Sequence, residues 1–83
     1  MAHFYILYSA VLDRYYVGHT TEALEERLRK HLSDHARWTA RAKDWRVVYS
    51  EALGTKSEAY RRERVVKGWK SRTRIEELLR AAL

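Results

Sequence analysis

Residues 3–18 read HFYILYSAVLDRYYVG. Two runs rich in aromatic and branched side chains, residues 3–9 and residues 14–18, face each other across a short connection, which is the signature of two neighbouring buried strands. The connection carries no strong two-residue turn signal, so the hairpin rests on the strands themselves. Side chains alternate along a strand. If the loop holds an even number of residues, odd positions of the first strand therefore share a face with even positions of the second. Tyr5 and Tyr16 then project from the same side, and an odd loop would separate them. Tyr15 and Val17 fall on the opposite face and read as packing. Gly18 ends the second strand, and His19 carries no role that the sequence assigns.

Downstream the period changes. From Thr21, which can cap a helix, Glu22, Glu25 and Glu26 favour the positive helix end, and Leu24, Leu28 and Leu32 make an apolar row. Residues 33–44 read as a loop with a helical turn around Trp38. A third strand follows, centred on Val47, Val48 and Tyr49. Thr55 to Glu58 forms a capping box that opens a second long helix, with Gly68 weakening its end. Ser71 or Thr73 starts a last helix whose stripe is Ile75, Leu78, Leu79 and Ala82. The order β-β-α-β-α-α predicts a small α+β domain, a three-stranded antiparallel sheet flanked by helices.

With 83 residues, the chain is long enough for one domain, spanning 1–83. It has no cysteine, which excludes disulfides and thiolate metal sites. No apolar stretch approaches the ~20 residues that cross a bilayer, and no basic-plus-apolar leader is present, so the expected setting is cytoplasmic, with no membrane partner. Seventeen Lys and Arg against eleven Asp and Glu give a net charge of +6. Polyanions are the natural partners of such a balance, nucleic acid first. The cations cluster: Arg61, Arg62, Arg64, Lys67, Lys70, Arg72 and Arg74 are opposed locally by Glu63 alone.

Three polar positions resist a packing account. Arg27 and His31, one turn apart, border the leucine row of the first helix; on their own they read better as a snorkelling arginine and a histidine capping a carbonyl. Glu63 lies at the edge of the arc marked by Ala59 and Val66, where a carboxylate needs a cation or a metal beside it. Arg62 falls even nearer the centre of that arc, so either the arc is shifted or both residues line a polar cleft. His31 and His35 have a two-ligand zinc spacing, but no metalloprotease glutamate lies between them and no cysteine can complete a site. Asparagine is absent from the chain, which removes sites built on a His-Asn pair.

Taken together, HFYILYSAVLDRYYVGHT, the helix with ALEERLRKH and the later EAYRRERVVKGWKSR resemble the GIY-YIG nuclease superfamily, in particular its short single-domain bacterial members. The likeness runs from His3 to about Leu79. The first signature triplet is degenerate, HFY, and keeps its tyrosine as Tyr5. The second is YVG, with Tyr16 and Gly18. The resemblance implies catalytic roles for Tyr5, Tyr16, Arg27, His31 and Glu63, with Glu63 as the ligand of one divalent ion, Mg²⁺ or Mn²⁺. It implies hydrolysis of DNA phosphodiester bonds, in repair or recombination, with no small-molecule cofactor. In this reading Arg27 meets the phosphate, His31 relays a proton from Tyr5, and Tyr16 positions water or phosphate. Gly18 lets phosphate approach the backbone beside the basic cluster of Arg61, Arg62, Arg64, Lys67, Lys70, Arg72 and Arg74. Many family sites also use an asparagine that this chain lacks. The alternative implied by that departure and by HFY is a nucleic-acid-binding module of the same fold with little activity. A weaker third idea is a basic helix that binds an acidic protein.

Overall fold

The hairpin closes over four residues, an even loop. Strand β1, Ala2–Ser9, pairs antiparallel with β2, Arg14–Thr20, in the register Ser9 to Arg14, Leu7 to Tyr16, Tyr5 to Gly18 and His3 to Thr20. Tyr5 and Tyr16 therefore share a face, as the even loop requires. This geometry comes from a computed structural model, which describes residues 1–33 and 38–82. Within the loop Asp13 takes a left-handed φ of 52°, a conformation that aspartate tolerates better than most residues. Its carboxylate is held by the Tyr8 hydroxyl at 2.6 Å and by Arg72 at 2.7 Å.

The remaining elements are α1 (Leu24–His31), a 3₁₀ turn (Trp38–Arg41), β3 (Arg46–Leu53), α2 (Lys56–Trp69) and α3 (Arg72–Ala81). The sheet order is β2-β1-β3, all antiparallel, which puts β1 in the centre and β2 on an edge. Between Ile6 and Leu7 the pairing with β3 slips: Ile6 faces Tyr49 but Leu7 faces Val47. Val48 is the extra residue of this bulge. It joins Tyr49 on the face of Ile6, while Val47 lies with Leu7.

The two faces carry separate cores. Phe4, Ile6 and Val17 pack with Val66 of α2, and Trp69, Ile75 and Leu78 close that layer from α2 and α3. Tyr5 and Leu7 pack with Ala42 and Trp45 on the other face, covered by Leu24 and Leu28 of α1 and by Leu32 just after it. Alternation along β1 thus feeds one helical layer from even positions and the other from odd positions.

Helix starts follow the local chemistry with one exception. Thr55 accepts the Glu58 amide and Ser71 accepts the Arg74 amide, as capping residues should. Thr21 does not cap α1. The strand β2 runs two residues further than its apolar run suggests, so Thr21 is needed for the turn, and α1 begins at Leu24 without a side-chain cap. Thr20 takes over the local role by accepting the Glu22 amide at 2.9 Å. Helix α2 runs through Gly68, and Lys70 makes the left-handed turn that ends it, with φ 48°.

Val66 is buried where α2 crosses Phe4, Ile6 and Val17. Val66→Ala is expected to destabilise the fold by about 2 kcal/mol. Urea unfolding should show a lower midpoint at an unchanged slope.

Candidate active site

Tyr5 is wholly enclosed, with its ring in the sheet and its hydroxyl reaching the edge strand. The register places it opposite Gly18, and a Cβ on Gly18 would lie 2.7 Å from the Tyr5 hydroxyl and 3.1 Å from the Tyr16 ring. The missing side chain therefore makes room for the Tyr5 phenol. The space above Gly18 is thus filled by tyrosine, which leaves the outer edge of its backbone as the route for the phosphate that the resemblance implies.

The hydroxyl of Tyr5 has two partners on α1. Arg27 Nε donates to it at 3.3 Å, and His31 Nε2 lies 2.7 Å away. His31 Nδ1 in turn lies 3.1 Å from the Thr39 hydroxyl of the 3₁₀ turn. A guanidinium only donates, so Tyr5 oxygen accepts from Arg27. The arrangement that satisfies every group then has Tyr5 donating its proton to His31 Nε2 and His31 Nδ1–H donating to Thr39. Arg27 and His31, four residues apart on one flank of α1, are thus joined by a single phenol.

Burial governs both ends of this chain. It pushes the Tyr5 phenol up to about 12, against the lowering effect of its hydrogen bond and charge contact with Arg27. It pushes the His31 imidazole down to about 4, helped by the Arg27 charge. The phenol holds its proton more tightly than usual and the imidazole accepts one less readily. At neutral pH Tyr5 is a neutral donor and His31 a neutral acceptor, so neither serves as a ready base. Tyr16 completes this face. Its ring lies edge-on to His31 at 4.8 Å and stacks on Trp38 at 6.2 Å, and the Lys67 ammonium lies 5.9 Å from its centroid.

Lys67 leads round the edge strand to the opposite face. Glu63 of α2 accepts from His19 Nδ1 at 2.7 Å through one oxygen and from Lys67 Nζ at 3.1 Å through the other. Its side chain is 13 % exposed, and its charge is felt at the Tyr5 hydroxyl. Because a carboxylate only accepts, His19 donates from Nδ1. His19, to which the sequence assigns no role, is the partner that Glu63 finds on β2. The signal was alternation: His19 shares its face of β2 with Tyr15 and Val17, the face on which α2 and Glu63 lie.

The ambiguity over Arg62 and Glu63 resolves into opposite flanks. Ala59 and Val66 are buried along α2; Glu63 turns toward β2, and Arg62 turns toward β3, where it binds Glu51 at 3.2 Å. The Arg62 guanidinium also lies 5.6 Å from the Phe4 ring and 5.9 Å from the Trp69 ring. Arg62 thus packs against two rings while paired with Glu51. Arg72 is likewise committed: Asp13 and Glu76 hold it at 2.7 and 3.1 Å, and it covers Tyr15. Arg74 lies 4.5 Å over the Trp69 ring. Arg61 and Lys70 have no acidic partner among the described residues, and Arg64 only rests against the Tyr60 ring at 5.8 Å.

A divalent ion would find one carboxylate here. Among the described residues no group of three or more histidines and carboxylates converges, and His35 of the zinc spacing lies outside them. Each Glu63 oxygen accepts from one donor and keeps a lone pair for a metal. That donor set suits Mg²⁺ or Mn²⁺, which retain several waters, and does not suit a metal that needs a full protein cage.

A family model for the GIY-YIG catalytic domain matches residues 1–76. No curated protein and no solved structure matched the chain.

The buried neutral His31 makes stability depend on pH. Its folded pKa lies below the usual 6.5, so its contribution is complete above about pH 6.5 and is lost as pH falls through about 4. The full loss is on the order of 3 kcal/mol. Denaturant melts between pH 7 and pH 4 should show this slope, and His31→Leu should flatten it. A second outcome concerns the close approach at Gly18: Gly18→Ala is expected to destabilise by about 1–3 kcal/mol, because the new methyl meets a ring that has nowhere to move.

Proposed function

The chain belongs to the GIY-YIG family of nuclease-type domains, and from that premise we propose that it is a divalent-metal-dependent endonuclease that hydrolyses DNA phosphodiester bonds. The observation that carries the proposal is the meeting of Arg27, Tyr16, His19 and Glu63, from three separate elements, around one edge strand. A bound Mg²⁺ or Mn²⁺ would be held by Glu63 with waters and phosphate oxygens, and would supply Lewis-acid stabilisation of the phosphoryl and leaving oxygens.

The chain's own residues do the rest. Among the described residues the terminal nitrogens of Arg27 have no hydrogen-bond partner while Nε is fixed on Tyr5, so the guanidinium presents a held donor fork to the phosphate as charge develops. Tyr5 and His31 hold that fork in place. Their protonation states suit a positioning role better than the base role that the resemblance implies. The Tyr16 hydroxyl makes no hydrogen bond among the described residues and is available to orient the attacking water or a phosphate oxygen. His19 Nε2 is the acceptor best placed to take the proton of that water, with Glu63 stabilising the imidazolium that forms.

Arg61, Arg64 and Lys70 remain for the DNA backbone, which favours recognition of shape and phosphate over sequence. A nicked, flapped or branched duplex is the expected substrate, and repair or recombination the process it would serve. No described helix is long and apolar enough to cross a membrane.

Supercoiled, linear and branched DNA incubated with Mg²⁺ or Mn²⁺ should be nicked or cut, and EDTA should stop the reaction. Glu63→Gln and Arg27→Ala should each lower the rate at least ~100-fold. Tyr5→Phe should lower it less and leave its pH profile unchanged, whereas His19→Ala should lower it about 100-fold or more. Salt-dependent DNA binding without metal-dependent cleavage would instead identify a binding module.

A further inference from the structure

Tyr60 stands on the outer face of α2, 46 % exposed, yet its ring is not isolated. One side meets the His19 imidazole at 5.3 Å, and the Arg64 guanidinium lies 5.8 Å from its centroid. A hollow of about 360 Å³ lined by His19, Lys56, Ser57 and Tyr60 joins it to the proposed catalytic pair. A second hollow, of about 460 Å³, lies on its other side against Ser57, Arg61, Arg64 and Val65. The ring therefore borders two shallow basins whose charged walls are cationic: Lys56 in one, Arg61 and Arg64 in the other.

We propose that Tyr60 is the stacking platform for an unpaired nucleobase of the DNA strand that is cut at Glu63. The inference rests on the endonuclease reading and specifies its substrate. An exposed aromatic face beside unpaired arginines offers what a single strand presents, a flat apolar base followed by an anionic phosphate. Neither a folded acidic protein nor a membrane requires a lone ring between two cationic basins. Contact between Tyr60 and His19 puts this base next to the scissile phosphate. A base that is still paired is stacked within the duplex and cannot lie on a ring that projects from the protein surface, whereas a nucleotide in a gap or flap can. The structure thus favours cleavage next to a single-stranded position, with Arg61 and Arg64 receiving the phosphates that follow.

The test uses duplex DNA with 2-aminopurine in a short single-stranded gap, beside the fully paired counterpart, in EDTA so that nothing is cut. Stacking on tyrosine quenches 2-aminopurine fluorescence. The wild-type protein should quench the gapped probe and bind it about tenfold more tightly than the paired one. Tyr60→Ala should remove the quenching and most of that preference, while Tyr60→Phe, which keeps the ring, should retain both. Equal quenching by Tyr60→Ala, an equal loss of affinity for both DNAs, or no preference in the wild type would each overturn the proposal. Circular dichroism verifies the fold of both variants. Quenching with the expected preference, alongside an absence of metal-dependent cleavage in a parallel assay, would overturn the endonuclease reading and leave the base site standing.

Discussion

A phenol hydroxyl enclosed in a sheet must find partners, and the Tyr5 hydroxyl determines much of what surrounds it. The strand opposite must carry glycine at the paired position, since a Cβ there would collide with the phenol. The helix that covers this face must offer both a donor and an acceptor one turn apart, which Arg27 and His31 supply. The 3₁₀ turn must then bring Thr39 to the far side of the imidazole. Register, glycine, helix face and turn are all constrained by one oxygen atom. Burial prevails over the neighbouring guanidinium, so the phenol stays neutral and the network acts as scaffolding for Arg27.

The basic cluster of residues 61–74 is uniform in sequence and divided in space. Helical angle assigns Arg62 to the β3 flank, where Glu51 and two aromatic rings take it. Arg72 is claimed by Asp13 and Glu76, which ties the first hairpin to α3. Lys67 bridges the carboxylate on one face and the tyrosine on the other. Arg61, Arg64 and Lys70 are left to face solvent without acidic partners among the described residues. Net charge therefore overstates the surface available to a polyanion; Arg61 and Arg64 lie beside Tyr60, while Lys70 stands at the far end of α2.

Period and parity made the fold legible. The period-2 runs, the leucine row and the two capping residues Thr55 and Ser71 depend on local chemistry, and each appears where that chemistry puts it. The start of α1 was not legible, because the last two residues of β2, His19 and Thr20, are polar and look like the opening of a turn. They pair as strand because Phe4 and His3 lie opposite them. The same disguise concealed His19, whose value comes from a carboxylate 44 residues away. Arg62 illustrates the converse: a cation in a basic run looks unpaired until the strand bearing its carboxylate is in place. Arg27, Tyr16 and Glu63 stand out through spacing and resemblance together, whereas the protonation states of Tyr5 and His31 depend on burial, which no local pattern states.

The position of β2 explains how residues on both faces can form one site. Alternation sends Tyr16 and Gly18 to the α1 side and Val17 and His19 to the α2 side. In a central strand the two sets would be separated by the neighbouring backbones on both sides. At an edge nothing lies beyond the strand, and side chains from α1 and α2 can close around it, as Lys67 does when it reaches the Tyr16 ring from Glu63. A substrate strand running along this edge would meet Arg27 on one side and Glu63 with His19 on the other, with β2 as the ridge between. The same geometry requires the edge to stay open, because a further strand paired to β2 would bury the approach to both halves. An unpaired edge is ordinarily a liability in a small sheet; here the cationic residues around it, Arg27 and Lys67, discourage a second copy of the basic chain from docking there while attracting phosphate.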